Sequence, residues 1–401
     1  MISVAEARER VLAGAEPLAA EWAPLAEAHG RVLSSDLKAL RTQPPENVSA
    51  MDGYAVRAPE VEVAPALFDL IGEVAAGRPY AGLVGQGQAV RIFTGGVMPA
   101  GTDTVVIQEN TEAIGNAVRV RSRARRGANV RIAGLDFAAG DTLLRQGQIL
   151  SDRDLALAAA MNHPTVSVHR RAKVAMFASG DELVMPGTVP GPGQIVCSNV
   201  FALAALARSE GAVVIDLGIV PDDLDATRTA ALRAREMGAD ILLTTGGASV
   251  GDYDLVQKAL TVQGMELAFW RVALRPGRPL LSGRLGSTSI LGLPGNPVSA
   301  YVCAFLFLVP LLRRLHGRAD TTPPPETAIL GADLPANDER ADYLRAKLER
   351  TSDGAMVATP FAIQDSSTVH YLAEADCLIA RDPFAPAATS GSRCRILALR
   401  P

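Results

Sequence analysis

An α/β multidomain chain built around a doubly wound parallel sheet is the fold class this sequence predicts, on three observations. Its 401 residues exceed what one ordinary hydrophobic core holds, so roughly two to four domains are expected. From about Ala172, strand-like runs alternate with helix-like ones, the pattern of a parallel sheet covered on both faces. Apolar residues make up 48% of the chain and aromatics 4%, which suits an aliphatic interior and excludes a disordered chain or an aromatic platform for single-stranded nucleic acid.

In chain order, Ser3-Val-Ala-Glu6 is a capping box, the serine oxygen and glutamate carboxylate each meeting an exposed amide, and it opens a helix to about Ala15. Ser151-Asp-Arg-Asp154 opens a second helix, to about Asn162. Between them, glycine- and proline-rich sequence with short apolar runs, such as Ala89–Phe93 and Thr104–Gln108, reads as a β-rich module over 42–139. The flanks, 1–41 and 140–171, then form one discontinuous helical N-terminal domain. The α/β domain, 172–318, runs through a strand at Lys173–Phe177, a helix near Asn199–Ser209 closed by Gly211, and a strand at Val213–Leu217. A helix within Asp222–Met237 and a strand at Asp240–Thr244 follow. The proline-rich Thr321–Glu326 is a linker, and 319–401 alternates like a small β-barrel. The apolar run Val298–Leu312 has 15 residues and carries Pro310, short of the about 20 a membrane span needs, so it reads as a buried helix or a subunit contact.

Lys plus Arg number 39 against 43 acids, a net charge of −4, so no global basic field exists to hold nucleic acid or an anionic membrane, and any anion site is local. Cys197, Cys303, Cys377 and Cys394 are widely spaced and the five histidines never fall at ligand spacing, which suggests reduced structural thiols rather than zinc or disulfides. Met1–Glu6 has no apolar signal region, so a cytoplasmic protein is expected.

The strand at 241–245 runs directly into Gly246-Gly247-Ala248-Ser249-Val250-Gly251-Asp252, whose three glycines and serine let backbone amides approach an anion, as phosphate-cradling loops do. A tight turn would explain the glycines alone; their position at a strand's carboxyl end favours a ligand. At Leu293-Pro294-Gly295-Asn296-Pro297, Asn296 is placed to cap and Pro297 to begin a helix whose free amides point out of the sheet. Arg275-Pro-Gly-Arg278 holds two cations in a stiff turn, and guanidinium forks match phosphate or another tetrahedral oxyanion. Asp181 with Glu182, Asp222 with Asp223, Asp252 with Asp254, and Asp136 supply hard oxygen ligands of the kind Mg²⁺ needs to bridge two phosphates. Asp223 and Asp225 read as surface acids. Without a Ser-His-Asp set, a reactive cysteine or clustered histidines, the protein is expected to position and polarise rather than attack.

Six segments together resemble the molybdopterin molybdenumtransferases, the MoeA-type family that includes the E domain of gephyrin. They are Ser49-Ala-Met-Asp-Gly-Tyr-Ala55, Arg91-Ile-Phe-Thr-Gly-Gly96, Ser179-Gly-Asp-Glu-Leu183, Thr245–Asp252, Arg275-Pro-Gly-Arg-Pro279 and Leu293–Ser299. Their order and spacing follow the family over essentially the whole chain. The resemblance implies a MoaB/MogA-like central domain, an elongated N-terminal dimerisation domain and a C-terminal barrel. It also implies a reaction in which molybdate is inserted into adenylylated molybdopterin with Mg²⁺-dependent release of AMP.

By motif, the resemblance puts Asp52 and Thr94 near the inserted metal and pterin, with Asp136 among the catalytic acids. It puts Glu182, Asp222 and Asp254 on the nucleotide and magnesium side, with Glu182 and Asp52 as magnesium ligands. Arg275, Arg278, Arg345 and Ser366 fall to the oxyanion. It implies a homodimer whose cleft lies between the α/β domain of one subunit and the β-rich module of the other, and transient contacts with an upstream adenylyltransferase and downstream molybdoenzymes. Two departures stand out. Arg275 and Arg278 replace the lysines many members carry, exchanging compact ammoniums for planar forks, and Asn47 stands where the family often has an aspartate. Competing readings are a non-catalytic pterin- or nucleotide-binding scaffold, a tungstate-preferring paralogue, and a hydrolase of the competence-damage-inducible type. The hydrolase lacks both the Ser49–Ala55 segment and the C-terminal barrel.

Overall fold

Strand carboxyl ends gather at one edge of a six-stranded sheet, and that edge organises the rest of the molecule. The computed structural model describes residues 1–246, 255–352 and 354–399. In the central sheet the spatial order is Val213–Val220, Lys173–Ser179, Ile241–Thr245, Thr288–Leu293, Pro279–Leu285 and Glu266–Arg271. The first four strands are parallel, Pro279–Leu285 runs against them, and Glu266–Arg271 pairs antiparallel with Pro279–Leu285 and so returns to the common direction. Strands 173–179, 241–245 and 288–293 are buried almost throughout, as both-face coverage demands. On one face lie Asn199–Ser209 and the apolar segment Pro297–Leu315; on the other lie Leu224–Glu236 and Leu255–Val262.

Pro297–Leu315 passes a length and hydropathy test for a span, yet 83% of its apolar window is buried inside the protein, so it is a core helix. It widens into a π-helical turn at Ala304–Leu308, immediately before Pro310, which has no amide hydrogen to give Leu306.

The N-terminal helix, Val4–Leu12, ends earlier than expected, with Gly14 at φ +68°. Ser3 caps it by accepting the Glu6 amide at 3.1 Å, while the Glu6 carboxylate turns to Arg10 at 2.7 Å rather than completing the box. Its buried face, Ala7 and Val11, joins the core of the α/β domain. The lobe expected over 1–41 and 140–171 thus has its own core only from about Ala23, through Leu33, Leu37, Leu144, Leu150 and Val168. The capping box at Ser151 forms in full and starts the helix Asp152–Ala160.

The module between the two halves of this lobe is a mixed six-stranded sheet that includes Gly53–Val56, Gln88–Ile92 and Thr104–Ile107. At the C-terminus, strands Glu326–Leu330, Ala341–Arg350, Met356–Pro360, Cys377–Arg381 and Arg393–Ala398 close into a five-stranded barrel, because 341–350 pairs with both 356–360 and 377–381. Closure removes the free edges a sheet this small would expose. Leu274–Arg275, from the α/β domain, adds to the barrel by pairing with Ala341 and Asp342.

His316, just past the core segment Pro297–Leu315, ties that segment to the start of the strand Lys173–Ser179: its Nε2 accepts the Ala172 amide at 2.9 Å. Burial, with Arg171 next in effect, pushes its pKa from 6.5 down to about 4. The unfolded chain therefore takes up a proton before the folded one does as pH falls. Stability is complete above pH 6.5 and declines from there toward pH 4 by up to about 1.4 kcal/mol per unit. Unfolding midpoints measured across this range should fall with acidification in the wild type and fall less in His316→Gln; parallel profiles would remove His316 as the cause.

Candidate active site

Four strand ends and two helix starts meet at a cleft of about 570 Å³. Strand 173–179 delivers Ser179 and, just beyond, Glu182; strand 213–220 leads to Asp222; strand 241–245 delivers Thr245 and Gly246; strand 288–293 leads to Pro294, Asn296 and Pro297. The Ser179 hydroxyl donates to Asp222 Oδ1 at 2.6 Å, and the Asp222 amide donates to Asp181 at 3.1 Å, which locks the first two ends together. Gly246 is at φ +85°, and a Cβ there would sit 2.2 Å from the Ser179 carbonyl oxygen, so only glycine permits this approach. Its amide donates to Leu293 O at 3.3 Å, and the Thr245 hydroxyl donates to Pro294 O at 3.2 Å.

Asn199, which sequence reasoning did not single out, fastens the assembly. Its side-chain amide donates to Thr245 Oγ1 at 2.9 Å and to Gly295 O at 2.7 Å. With Ser198, it begins the helix Asn199–Ser209 at the cleft wall, so a second helix amino end faces the space. The Ser-Asn pair before an apolar periodic run was the available signal.

The helix beginning at Pro297 departs from the expected arrangement. Asn296 does not cap it; the Asn296 amide donates instead to Ser366 Oγ at 2.9 Å, and the Ser366 carbonyl accepts the Val298 amide at 3.0 Å. The C-terminal barrel therefore supplies a cap to the α/β domain. Ser366 reaches the cleft rim through this contact, and its neighbour Ser367 lines the cleft.

Arg345, expected at the oxyanion, has a buried side chain whose guanidinium donates to the Thr368 hydroxyl at 2.7 Å and to the carbonyls of Thr368, Asp365 and Ile363 at 3.1, 3.0 and 3.3 Å. These bonds shape the loop that carries Ser366. Arg275, expected at the oxyanion too, is engaged with the barrel. It donates through Nε to Asp342 at 2.6 Å, through Nη1 to Asp338 at 3.2 Å and through Nη2 to Asn337 at 3.1 Å and to Asp342. The hydrogen bond to buried Asp342 raises its pKa, and its fork clamps the barrel to the α/β domain. A planar fork makes that bidentate contact and an ammonium does not, which accounts for arginine here. Arg278 is exposed beside Pro279, a cleft residue, and is the cation of this turn left for an anion.

Within the β-rich module, Asp52 Oδ1 accepts the Thr94 amide and hydroxyl, both at 2.8 Å. The Thr94 amide, then its hydroxyl, holds the Asp52 carboxyl below its usual range. Arg91 stacks over Tyr54 and Phe93, at 4.9 and 5.0 Å from their ring centroids, and donates to Gly53 O at 3.2 Å. Asn47 Oδ1 accepts the Ala133 amide at 2.8 Å, anchoring the loop that ends in exposed Asp136. No residue of 42–139 lines the cleft, so Asp52, Thr94 and Asp136 are not brought to Glu182 within one chain. Gly247, Ser249, Gly251 and Asp254 lie outside the described residues. Among the described residues no three His, Cys, Asp or Glu converge as a ready metal cage.

Three family models match the chain in order: "MoeA N-terminal region (domain I and II)" over residues 2–162, "Probable molybdopterin binding domain" over 175–314, and "MoeA C-terminal region (domain IV)" over 327–399. A molybdopterin molybdenumtransferase of Nostoc sp. is 38% identical over 329 residues, 80% of this chain and 75% of its own length. The corresponding protein of Bacillus subtilis is 32% identical, covering 100% of this chain and 94% of its own. A crystal structure of a molybdopterin biosynthesis MoeA protein from Pyrococcus horikoshii superposes with a TM-score of 0.88 at 28% identity, covering 100% of both chains. Fold and cleft thus define an α/β protein of molybdopterin metabolism with MoeA architecture. The chain belongs to the molybdopterin molybdenumtransferase family, transferases of molybdenum cofactor biosynthesis.

Arg345→Lys keeps the charge and loses the fork. It should lower the barrel's stability by about 1–3 kcal/mol, because buried carbonyls lose their donors. It should also raise protease sensitivity at the 363–368 loop. Unchanged stability with weakened ligand binding would instead make Arg345 a ligand-contacting residue.

Proposed function

We propose that this protein inserts molybdate into adenylylated molybdopterin and releases AMP with the help of Mg²⁺, in the cytoplasm, as a homodimer with an active site shared between subunits. The observation that carries this reading is the convergence of exposed Glu182 and Asp222 with the Gly246 and Asn296–Pro297 turns at one edge of a parallel sheet.

The donor set fits magnesium. Glu182 and Asp222 offer hard carboxylate oxygens without a complete protein cage, and Mg²⁺ characteristically keeps waters and completes its shell with substrate phosphates. When bound, the ion neutralises charge developing on the phosphates. The chain's own groups do the rest. The backbone at Gly246 and the helix start at Asn199 accommodate an anionic phosphate in the cleft. Arg278, at the rim, attracts the incoming oxyanion. Ser179 orients the Asp222 carboxylate through its 2.6 Å hydrogen bond.

Asp52 is held ionised, with Oδ1 committed to Thr94 and Oδ2 left for a ligand. Its absence from its own chain's cleft supports delivery across the dimer, so that Asp52 of the partner subunit faces Glu182. Molybdate as the specific oxyanion rests on the family.

The direct test supplies purified protein with adenylylated molybdopterin, Mg²⁺ and molybdate, then measures AMP and reconstitution of a molybdenum-free apo-enzyme. Glu182→Gln should abolish both with the fold intact by circular dichroism; normal turnover would overturn its role. Asp52→Asn should block metal insertion more than nucleotide binding. Mixing the two inactive variants under subunit exchange should restore about a quarter of wild-type activity, since half the dimers then hold one intact shared site. No recovery in proven heterodimers would put both residues in the same subunit's site.

A further inference from the structure

The strands whose carboxyl ends form the cleft begin, at the opposite edge of the sheet, beside a second cavity of about 310 Å³. Arg171 lies just before the strand Lys173–Ser179 and Gly211 just before Val213–Val220, and both line this space together with residues of the N-terminal lobe. Four arginines line it, Arg31, Arg171, Arg208 and Arg318.

Their charge is not balanced locally. Arg31 pairs with Glu21, and Arg318 with Glu210 and Asp320. Glu210, the carboxylate in the lining, is already saturated: Oε1 accepts from Arg313, and Oε2 from Arg313 and Arg318, each at 2.9 Å. Arg171 is left with the Gly211 carbonyl at 3.0 Å, and Arg208 has no carboxylate partner among the described residues. Burial, then the like charge of Arg31, lowers the Arg171 guanidinium's pKa, and Glu21, already paired with Arg31, opposes them as the smallest of the three causes. Arginine in the last turn of a helix complements the helix dipole, which accounts for Arg208 at the end of Asn199–Ser209. It does not account for Arg171, which precedes a strand, nor for the open volume between the two.

We propose that this cavity binds a small tetrahedral dianion, inorganic phosphate or an isostere, between Arg171 and Arg208 at the joint of the N-terminal lobe and the α/β domain. Two guanidinium forks match the oxygens of such an ion. The lining holds four arginines, and a volume of about 310 Å³ stands at the small end for a ligand pocket, which favours a compact anion over a nucleotide. The free inorganic ion is therefore the occupant. Because Arg171 ends the returning half of the lobe, 140–171, while Arg208 belongs to the α/β domain, the bound ion braces one against the other.

The test titrates the full-length protein with inorganic phosphate at constant ionic strength, balanced with chloride, and reads calorimetric binding together with the thermal midpoint. AMP forms a second arm. A saturable phosphate response is expected. Arg171→Gln/Arg208→Gln should weaken it about tenfold or more, the loss of one or two charge-assisted contacts. Arg119→Gln, on the β-rich module, should leave it unchanged. Should the double variant fail to fold, exposed Arg208→Gln alone should still weaken phosphate severalfold. Crystals soaked in selenate should show anomalous density between Arg171 and Arg208. The proposal is overturned by the absence of a saturable response. It is overturned equally by a response lost in Arg278→Gln and kept in the double variant, which assigns the ion to the cleft. Displacement of phosphate from Arg171 and Arg208 by tighter-binding AMP would also overturn it, as it would make the occupant a nucleotide.

Discussion

One close backbone approach underlies the whole cleft: strand 241–245 ends against strand 173–179 with no room for a side chain at Gly246. Parallel strands bring their carboxyl ends to one edge as a matter of topology, but topology alone leaves a ragged row of loops. Here the Ser179 hydroxyl, the Thr245 hydroxyl and the Asn199 amide each bond across to a neighbouring strand end or the turn beyond it. The polar atoms that would otherwise be orphaned at the strand ends satisfy one another, and the acids Glu182 and Asp222 are left exposed.

Arginine serves two opposed purposes in this molecule, and its hydrogen-bond inventory tells them apart. A guanidinium has five donors, and where protein carbonyls and carboxylates consume them, none is left for a ligand. Arg345 and Arg275 each spend four donors in this way, the first folding a loop under the barrel and the second clamping the barrel to the sheet. Both act on the cleft at one remove, because the loop that Arg345 shapes presents Ser366 to Asn296 and caps a core helix.

The α/β sheet, the barrel and the module were legible because alternation at strand and helix periods is a local property of sequence. That Glu182, Asp222 and Gly246 stand together at one edge was legible too, since the carboxyl ends of parallel strands converge there. Less visible was the direction in which a long side chain turns. Nothing in Arg275-Pro-Gly-Arg reveals that Asp342, distant in sequence, takes the first arginine and leaves the second. Asn199 was hidden for a related reason: as a helix-start residue it needs no further explanation, and its two partners come from other strand ends. The N-terminal helix was assigned to the lobe that follows it, whereas Ala7 and Val11 find their apolar surroundings in the α/β core.

The chain leaves the N-terminal lobe for the β-rich module and returns along adjoining paths. The Ala39 amide donates to Asp141 O at 2.8 Å, and the Gln43 amide to Phe137 O at 2.9 Å. Entrance and exit are thus a hydrogen bond apart, and the lobe's own core closes without any module residue except Phe137 at the boundary. In the language of protein architecture, the module is a cassette: a short loop could bridge its stem, and a foreign domain with neighbouring termini could occupy its place. A family built on such a stem can exchange the module while keeping the sheet whose strand ends form the cleft, so the two parts are free to diverge at different rates.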